Sequence, residues 1–460
     1  MNQSEAFCGF EIQYRPNRNT DITLHKFMRL GAGVTGRQAE SMPARALWQN
    51  SPMEGNGDAA TLRVQVLVIG AGPAGAAAAL TLARDGLDVA LVDQHDFPRD
   101  KACGDALIPD ALAALRRLGL DRQVQQHARR LDGIRIYAPD RSFADVDGTL
   151  ASCPRVTLDE VTRAAAVGAG ARFLAPLRLT GLVVANECVR GAQFRNGHDS
   201  SAITIAAEVV LLATGAASAP LELSGLCQRK EPAGMAVRAY FRNERLADDF
   251  DRLIISFDHG ICPGYGWIFP APGGLFNIGA GYFLDARRRP AVGNVRRVFE
   301  SFVASFPPAQ AVLAEARQVS ELRGAPLRTA LKGARFCRPG LLVVGEAAGT
   351  TYSFSGEGIG KALETGMLAA QHAIDFFRAR HDMRDLCSAY EESLRRDLAP
   401  RFAAYETAQR WLSYPRLCNF LAARARNGSF VRRELEGLLA ETSDPSRLFS
   451  LGGMLRALVA

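Results

Sequence analysis

The chain has 460 residues, 48% of them hydrophobic and 22% charged, with a formal net charge of +7 at neutral pH. This composition suits a soluble globular protein with a large core. It excludes a membrane-spanning chain, because no apolar run approaches the ~20 residues a span needs, and it carries no aromatic-interleaved basic motif for nucleic acid.

Residues 1 to 60 lack sustained periodicity, and six basic residues balance six acids. They read as a disordered extension and as neither a secretory signal nor an acid-poor transit peptide. Val66–Asp93 then reads as strand, glycine turn, helix, strand. Val66–Ile69 is a short β-branched run of the kind a buried parallel strand needs. In Gly70-Ala71-Gly72-Pro73-Ala74-Gly75, Gly70 permits the tight turn, Gly72 lets backbone approach a pyrophosphate, and Gly75 lets the helix pack on the strand. The helix runs from about Pro73 to Arg84, and its N-terminus faces phosphates. Asp93 ends the second strand about 20 residues past the glycines, where a carboxylate accepts hydrogen bonds from a ribose. The unit predicts a dinucleotide site without separating FAD from NAD.

Asp96 to Gly104 should be a loop and Pro109 to Leu118 a helix. Arg99 and Lys101 are placed to meet phosphates or a flavin, and Cys103-Gly104 sets a small thiol beside backbone that can approach a ring closely. Residues from about 131 to 150 read as strands, and Arg155 opens a helix to about Val167. Ala171–Leu174, Leu179–Ala185, Arg190–Phe194, Ala202–Ile205 and Val209–Ala213 read as separate strands. Residues 226 to 330 form mixed strands with many aromatics, including Tyr265-Gly266-Trp267-Ile268-Phe269-Pro270, Gly279-Ala280-Gly281 and a helix near Val292–Ser305. Leu341–Val344 is a last parallel strand running into Gly345-Glu346. Ser355-Gly356-Glu357-Gly358-Ile359-Gly360 leads into a helix through about Arg378, whose positive end suits an anionic reduced ring.

From about Asp382 the chain is helical by periodicity, with Trp411, Leu412, Leu417, Phe420 and Leu421 as one apolar cluster. This region either packs as core, lids a tunnel or lies on a bilayer. From Arg395 onward eleven Arg face six acids. They read either as a solvated face or as a surface for anionic lipid or a diphosphate. The nine cysteines are scattered, with no CxxC and no Cys/His cluster at metal spacing. We therefore expect a reducing cytoplasm, no structural disulfide and no metal.

Four segments carry a resemblance to the geranylgeranyl reductase family, within the FAD enzymes that include aromatic hydroxylases and flavin halogenases. They are GAGPAG at 70–75, FPRDKACGD at 97–105, YGWIFP at 265–270 with GAG at 279–281, and GEAAG followed by SGEGIGKA at 345–362. The resemblance implies an α/β fold, a Rossmann-type FAD-binding domain of glutathione reductase or hydroxylase type with an interleaved β-sheet substrate domain and C-terminal helices. Its boundaries would be 61–130, 151–225 and 335–380 for FAD, 131–150 and 226–334 for substrate, and 381–460 for the helices. FAD would be held by Gly70, Gly72, Pro73, Ala74, Gly75, Asp93, Arg99, Lys101, Cys103, Gly104, Gly345, Glu346, Gly356, Gly358 and Ile359. Tyr265, Trp267, Phe269 and Phe276 would line an apolar tunnel, with Cys103, Tyr265 and Trp267 nearest the chemistry.

The implied reaction is reduction of carbon–carbon double bonds of an isoprenoid chain by reduced flavin, with peripheral contact at the inner face of a membrane. Two positions depart from pattern. Glu346 stands where the family usually has Asp, and Thr214 stands where related hydroxylases carry the Asp of a DG motif. The reductant is therefore left as NAD(P)H or a separate carrier. The alternative is an FAD-dependent monooxygenase or halogenase acting on a hydrophobic or aromatic substrate, although the chain lacks the W-x-W-x-I-P segment of flavin halogenases.

Overall fold

The strand Ala60–Ile69 is the centre of the first of two sheets. In this computed structural model, residues 60–261, 263–284, 294–379 and 382–459 are described, so the expected N-terminal extension lies outside them except for Ala60. Five strands run parallel in the order 341–343, 202–212, 60–69, 89–92, 172–174. The near-continuous burial of the sheet-centre stretches, in all but the edge strand 172–174, explains the unbroken apolar runs in sequence. Helix Pro73–Arg84 ends at its expected boundaries and packs against helix Ile359–Ala379. Small residues set that crossing, for a Cβ at Gly366 would lie 2.1 Å from the carbonyl oxygen of Ala74.

The expected break between Ala202–Ile205 and Val209–Ala213 is absent. One strand, Ala202–Leu212, covers both. Its first half pairs antiparallel with Cys188–Asn196, while nearly its whole length pairs parallel with Ala60–Ile69. Two ladders hold the Ala206-Ala207-Glu208 stretch extended where its composition suggested a turn.

The second sheet is largely antiparallel, in the order 317–318, 234–242, 275–283, 264–271, 253–256, 129–137, 143–152, 106–107. Helix Val295–Ser305 covers one face, burying Val298, Phe299 and Phe302 against Ile268, Phe276 and Ile278. The other face looks onto the end of the first sheet's strands.

C-terminal helices span Met383–Leu412, Pro415–Asn427, Ser429–Leu439 and Leu451–Val459. Asp382 caps the first, its carboxylate accepting from the Arg384 amide at 3.2 Å. Phe402, Tyr405, Leu421 and Leu438 bury with Tyr352, and Trp411, Leu417 and Phe420 pack against them. One expectation fails outright. Cys337 and Cys387 form a disulfide with Cα atoms 5.7 Å apart, joining the short strand Cys337–Arg338 to helix Met383–Leu412. Their separation of 50 residues left no signature in the sequence. No helix among the described residues is long and apolar enough to cross a membrane.

Candidate active site

The glycine turn is dictated by contact distances. Gly70 has φ +106°, and a Cβ there would fall 2.3 Å from the Ala213 carbonyl oxygen. A Cβ at Gly75 would fall 1.8 Å from the Gly70 carbonyl oxygen, so only glycine lets the helix start this close to the strand. Gly72 is the N-cap residue of helix Pro73–Arg84 and supplies no side-chain cap, leaving the first amides free for an anion. Two guanidinium groups approach that end, with Arg99 Nη2 and Arg155 Nη2 lying 3.5 and 3.7 Å from where a Gly72 Cβ would be.

Arg155 is fixed by a bidentate pair to fully buried Asp159 at 2.6 and 2.7 Å, and Arg99 shares the same carboxylate at 3.1 Å. Two cations thus share one anion, and Arg99 Nε has no partner. Asp93 is buried, accepts from the amides of Ala71 at 2.8 Å and His95 at 3.0 Å, and lies 3.7 Å from Arg99. An uncapped helix end, two guanidinium groups beside it and an orphaned donor fit the diphosphate of a dinucleotide.

At the other end Lys101 Nζ reaches Glu346 Oε2 at 3.2 Å. The longer acid takes extra partners, since Glu346 Oε1 accepts from the Arg328 amide and the Thr351 hydroxyl, both at 3.4 Å. Gly345 and Gly75 do not line the cavity. They shape it from behind, and a Cβ at Gly345 would press 2.7 Å against the Ala74 methyl. Gly356, Gly358 and Ile359 do line it. The end of helix Ile359–Ala379 carries a cap that the sequence reading overlooked, because Glu357 Oε1 accepts from the Gly360 amide at 2.8 Å. Burial, then the nearby Asp110 carboxyl, pushes the Glu357 carboxyl well above the usual carboxylate range.

Strand alternation decides the aromatic wall. In the antiparallel pair of 264–271 with 275–283, Tyr265 opposes Gly281, Trp267 opposes Gly279, and Phe269 opposes Asn277. These rings face the cavity. Gly279 of the G-x-G segment makes room for Trp267, for a Cβ there would sit 2.1 Å from Trp267 Cζ2. Phe276 is the exception to the expected lining. It is one residue out of phase, faces the helix side with Ile278, and stacks edge-on against Phe250 at 5.1 Å.

Cys103 lines the cavity at the loop beneath Trp267 and Phe269, and burial raises its thiol, which favours the protonated form. A Cβ at Gly104 would lie 2.9 Å from the Phe269 ring. The Tyr265 hydroxyl donates to the Ser355 carbonyl oxygen, tying the wall to the Gly356 turn, and burial raises its phenol.

These groups line one cavity of about 790 Å³. Its far wall comes from the C-terminal helices through Tyr405, Leu435, Leu438 and Leu439, so that region both packs as core and closes the cavity. Sequence reading missed Asp105, Arg155, Asp159, Arg238, Tyr240 and Asn277. Asp105 stood inside the quoted CGD segment and Asn277 two residues before the G-x-G, but nothing local showed that they meet. Asp105 is fully buried at φ +67°, and burial pushes its carboxyl up to about 6.

Comparison with known proteins agrees with this geometry. Residues 63–238 match the FAD binding domain family model. The chain is 32% identical over 377 residues to a menaquinone reductase of Mycolicibacterium smegmatis, covering 77% of this chain and 86% of that one. It is 27% identical to a digeranylgeranylglycerophospholipid reductase of Methanosphaera stadtmanae, covering 76% and 88%. In fold it is similar to a geranylgeranyl bacteriochlorophyll reductase-like protein of Thermoplasma acidophilum, with TM-score 0.70 and 21% identity over 87% of this chain and 96% of that one. A flavin-dependent brominase shares the fold equally, with TM-score 0.70 and 18% identity over 86% and 98%. The chain belongs to the geranylgeranyl reductase family of FAD-dependent oxidoreductases.

Proposed function

We propose that this oxidoreductase reduces a carbon–carbon double bond in the isoprenoid chain of a lipid or quinone. The observation that carries the reading is the cavity wall. Ile134, Ile136 and Ile255 on the second sheet and Leu435, Leu438 and Leu439 on the C-terminal helices make an apolar sleeve ending at Trp267, Phe269 and the Cys103 loop. A polyprenyl chain is what such a wall binds, by area burial with no polar anchor. The relatives' names point to quinone and isoprenoid-lipid substrates.

Bound FAD, reduced by NAD(P)H or by a separate carrier, would supply the hydride equivalent. Arg99, Arg155 and the amides after Gly72 would hold its diphosphate, Asp93 a ribose hydroxyl, and Lys101 with Glu346 the region between. The protein's own task is alignment, because an isolated alkene is a poor hydride acceptor and orientation supplies much of the rate. Trp267 and Phe269 fix the chain against the loop and exclude water. Cys103 and Tyr265 are both held protonated and are the candidate proton sources at the alkene. The arginine-rich helices near the apolar sleeve suit peripheral contact with an anionic bilayer, where such substrates reside.

A single turnover tests the reading. The purified flavoprotein is reduced anaerobically with dithionite and mixed with polyprenyl diphosphates or isoprenoid quinones. Flavin reoxidation with a product that stays heavier by two hydrogens after exposure to air is expected, since a quinone ring merely reduced to its quinol would return to the starting mass. Reoxidation only after oxygen is admitted, with a product heavier by one oxygen, would replace this reading by a monooxygenase.

A further inference from the structure

Asn277 is fully buried and joins three parts of the site that lie far apart in sequence. Its Oδ1 accepts from Trp267 Nε1 at 3.0 Å. Its Nδ2 donates at 2.7 Å both to the Cys103 carbonyl oxygen and to Asp105 Oδ2. Asp105 Oδ2 also accepts from the Tyr240 hydroxyl, and Asp105 Oδ1 accepts from the Arg155 amide at 3.2 Å. The three polar groups bonded to the Asn277 side chain are thereby fixed in the orientation that an amide satisfies, with its oxygen toward the indole and its nitrogen toward two oxygens.

We infer that Asn277 is the positioning residue that locks the Trp267 ring to the Cys103 loop, setting the gap in which substrate meets the reactive face. The inference rests on Trp267 and the loop bounding the reaction site. Packing alone does not explain an amide here. A leucine of similar volume would fill the space but strand a buried indole donor and a carbonyl and take one donor from the Asp105 carboxyl, at the full desolvation cost of each stranded group. The amide instead couples the sheet carrying Trp267 to the loop leaving the first sheet.

Asn277→Asp converts this lock into a titratable one. Ionised, the new carboxylate can still accept from Trp267, but it faces Asp105 Oδ2 and the Cys103 carbonyl with no donor. Protonated, it regains one donor. Like charges in contact raise the upper titration of the pair. The other groups facing the pair are the Tyr240 hydroxyl, the guanidinium groups of Arg238 and Arg155, and the Cys103 thiol, with Asp100 and Lys101 one group further out. Burial and the like charge push the upper titration of the pair above that of Asp105 alone, and the two guanidinium groups oppose them by favouring the ionised pair.

The test reads the apoprotein as well as the loaded enzyme. The chain has three tryptophans, and the Trp267 indole N–H resonance is assigned by its loss in Trp267→Phe. In Asn277→Asp apoprotein this resonance should move with pH over an interval above pH 6 in which the wild-type resonance, which senses only the Asp105 carboxyl near 6, stays constant. In the loaded variant, turnover should fall by up to ~10²-fold across the same pH interval, the scale of a misplacement of about 1 Å. An indole resonance indifferent to the substitution and to pH would overturn the inference. If Asn277→Asp does not fold, Trp267→Phe keeps an aromatic ring while deleting the donor together with part of the ring's volume. Turnover equal to wild type in that variant would equally overturn it. A titrating resonance in a protein that fails to reduce any alkene would refute the proposed reaction alone.

Discussion

Gly279→Ala adds one methyl group to the cavity face of the second sheet. That methyl would sit 2.1 Å from Trp267 Cζ2, 2.5 Å from its Cε2 and 2.5 Å from the Val237 carbonyl oxygen. Carbon atoms pack at about 3.5–4.0 Å, so the ring must retreat by about 1.5 Å. The glycine's φ is not left-handed, so the cost is steric, part of it from the ring and part from the backbone carbonyl of Val237 on the neighbouring strand. Overpacking of this kind costs about 1–3 kcal/mol, and breaking the Trp267–Asn277 bond adds about 1 kcal/mol.

We therefore expect a stability loss of ~2–4 kcal/mol in urea unfolding, full flavin content, and turnover reduced ~10²-fold by the displaced ring. The double variant Gly279→Ala with Trp267→Phe should recover part of the stability, because the smaller ring vacates the methyl's space while the contact with the Val237 carbonyl remains. Gly279→Ala with wild-type unfolding and turnover, or a double variant no more stable than the single one, would refute the argument that this glycine exists to admit Trp267.

Three further outcomes are expected. Gly75→Ala should yield colourless protein or none, since its Cβ would sit 1.8 Å from the Gly70 carbonyl oxygen, and flavin absorbance of the soluble fraction checks this. Burial raises the Asp105 carboxyl from 3.8 to about 6. Its contribution is therefore fully present below about pH 4 and lost as pH rises through about 6, a loss of order 3 kcal/mol by linkage. Asp105→Asn cannot ionise, so relative to wild type it should gain about that much between pH 4 and pH 7; a flat difference in urea unfolding would show that Asp105 does not titrate there. Lys361 is buried among Asp110 at 3.4 Å, Glu364 at 2.7 Å and Glu441 at 2.8 Å. Lys361→Met should cost about 3–5 kcal/mol by stranding them, and adding Asp110→Asn should restore part of it, as calorimetry would show.

The sequence by itself determined the glycine turn, its strands and helix, and therefore the diphosphate end of the site. There the constraints are local: Gly70, Gly75 and the helix start lie within six residues, and steric contacts at that range follow from the chain alone. It also gave the aromatic segment at 265–270, but the face of Phe276 depended on register, which a partner strand sets and composition does not. The single strand Ala202–Leu212 was misread for the same reason, because two ladders outweighed local propensity. Only tertiary structure brought Asn277 to Cys103 and Asp105, 174 and 172 residues away. It alone joined Cys337 to Cys387 and set Leu435 and Leu438 across the cavity from Trp267. Buried polar pairs and disulfides satisfy their bonds in space, so nothing periodic in the chain announces them.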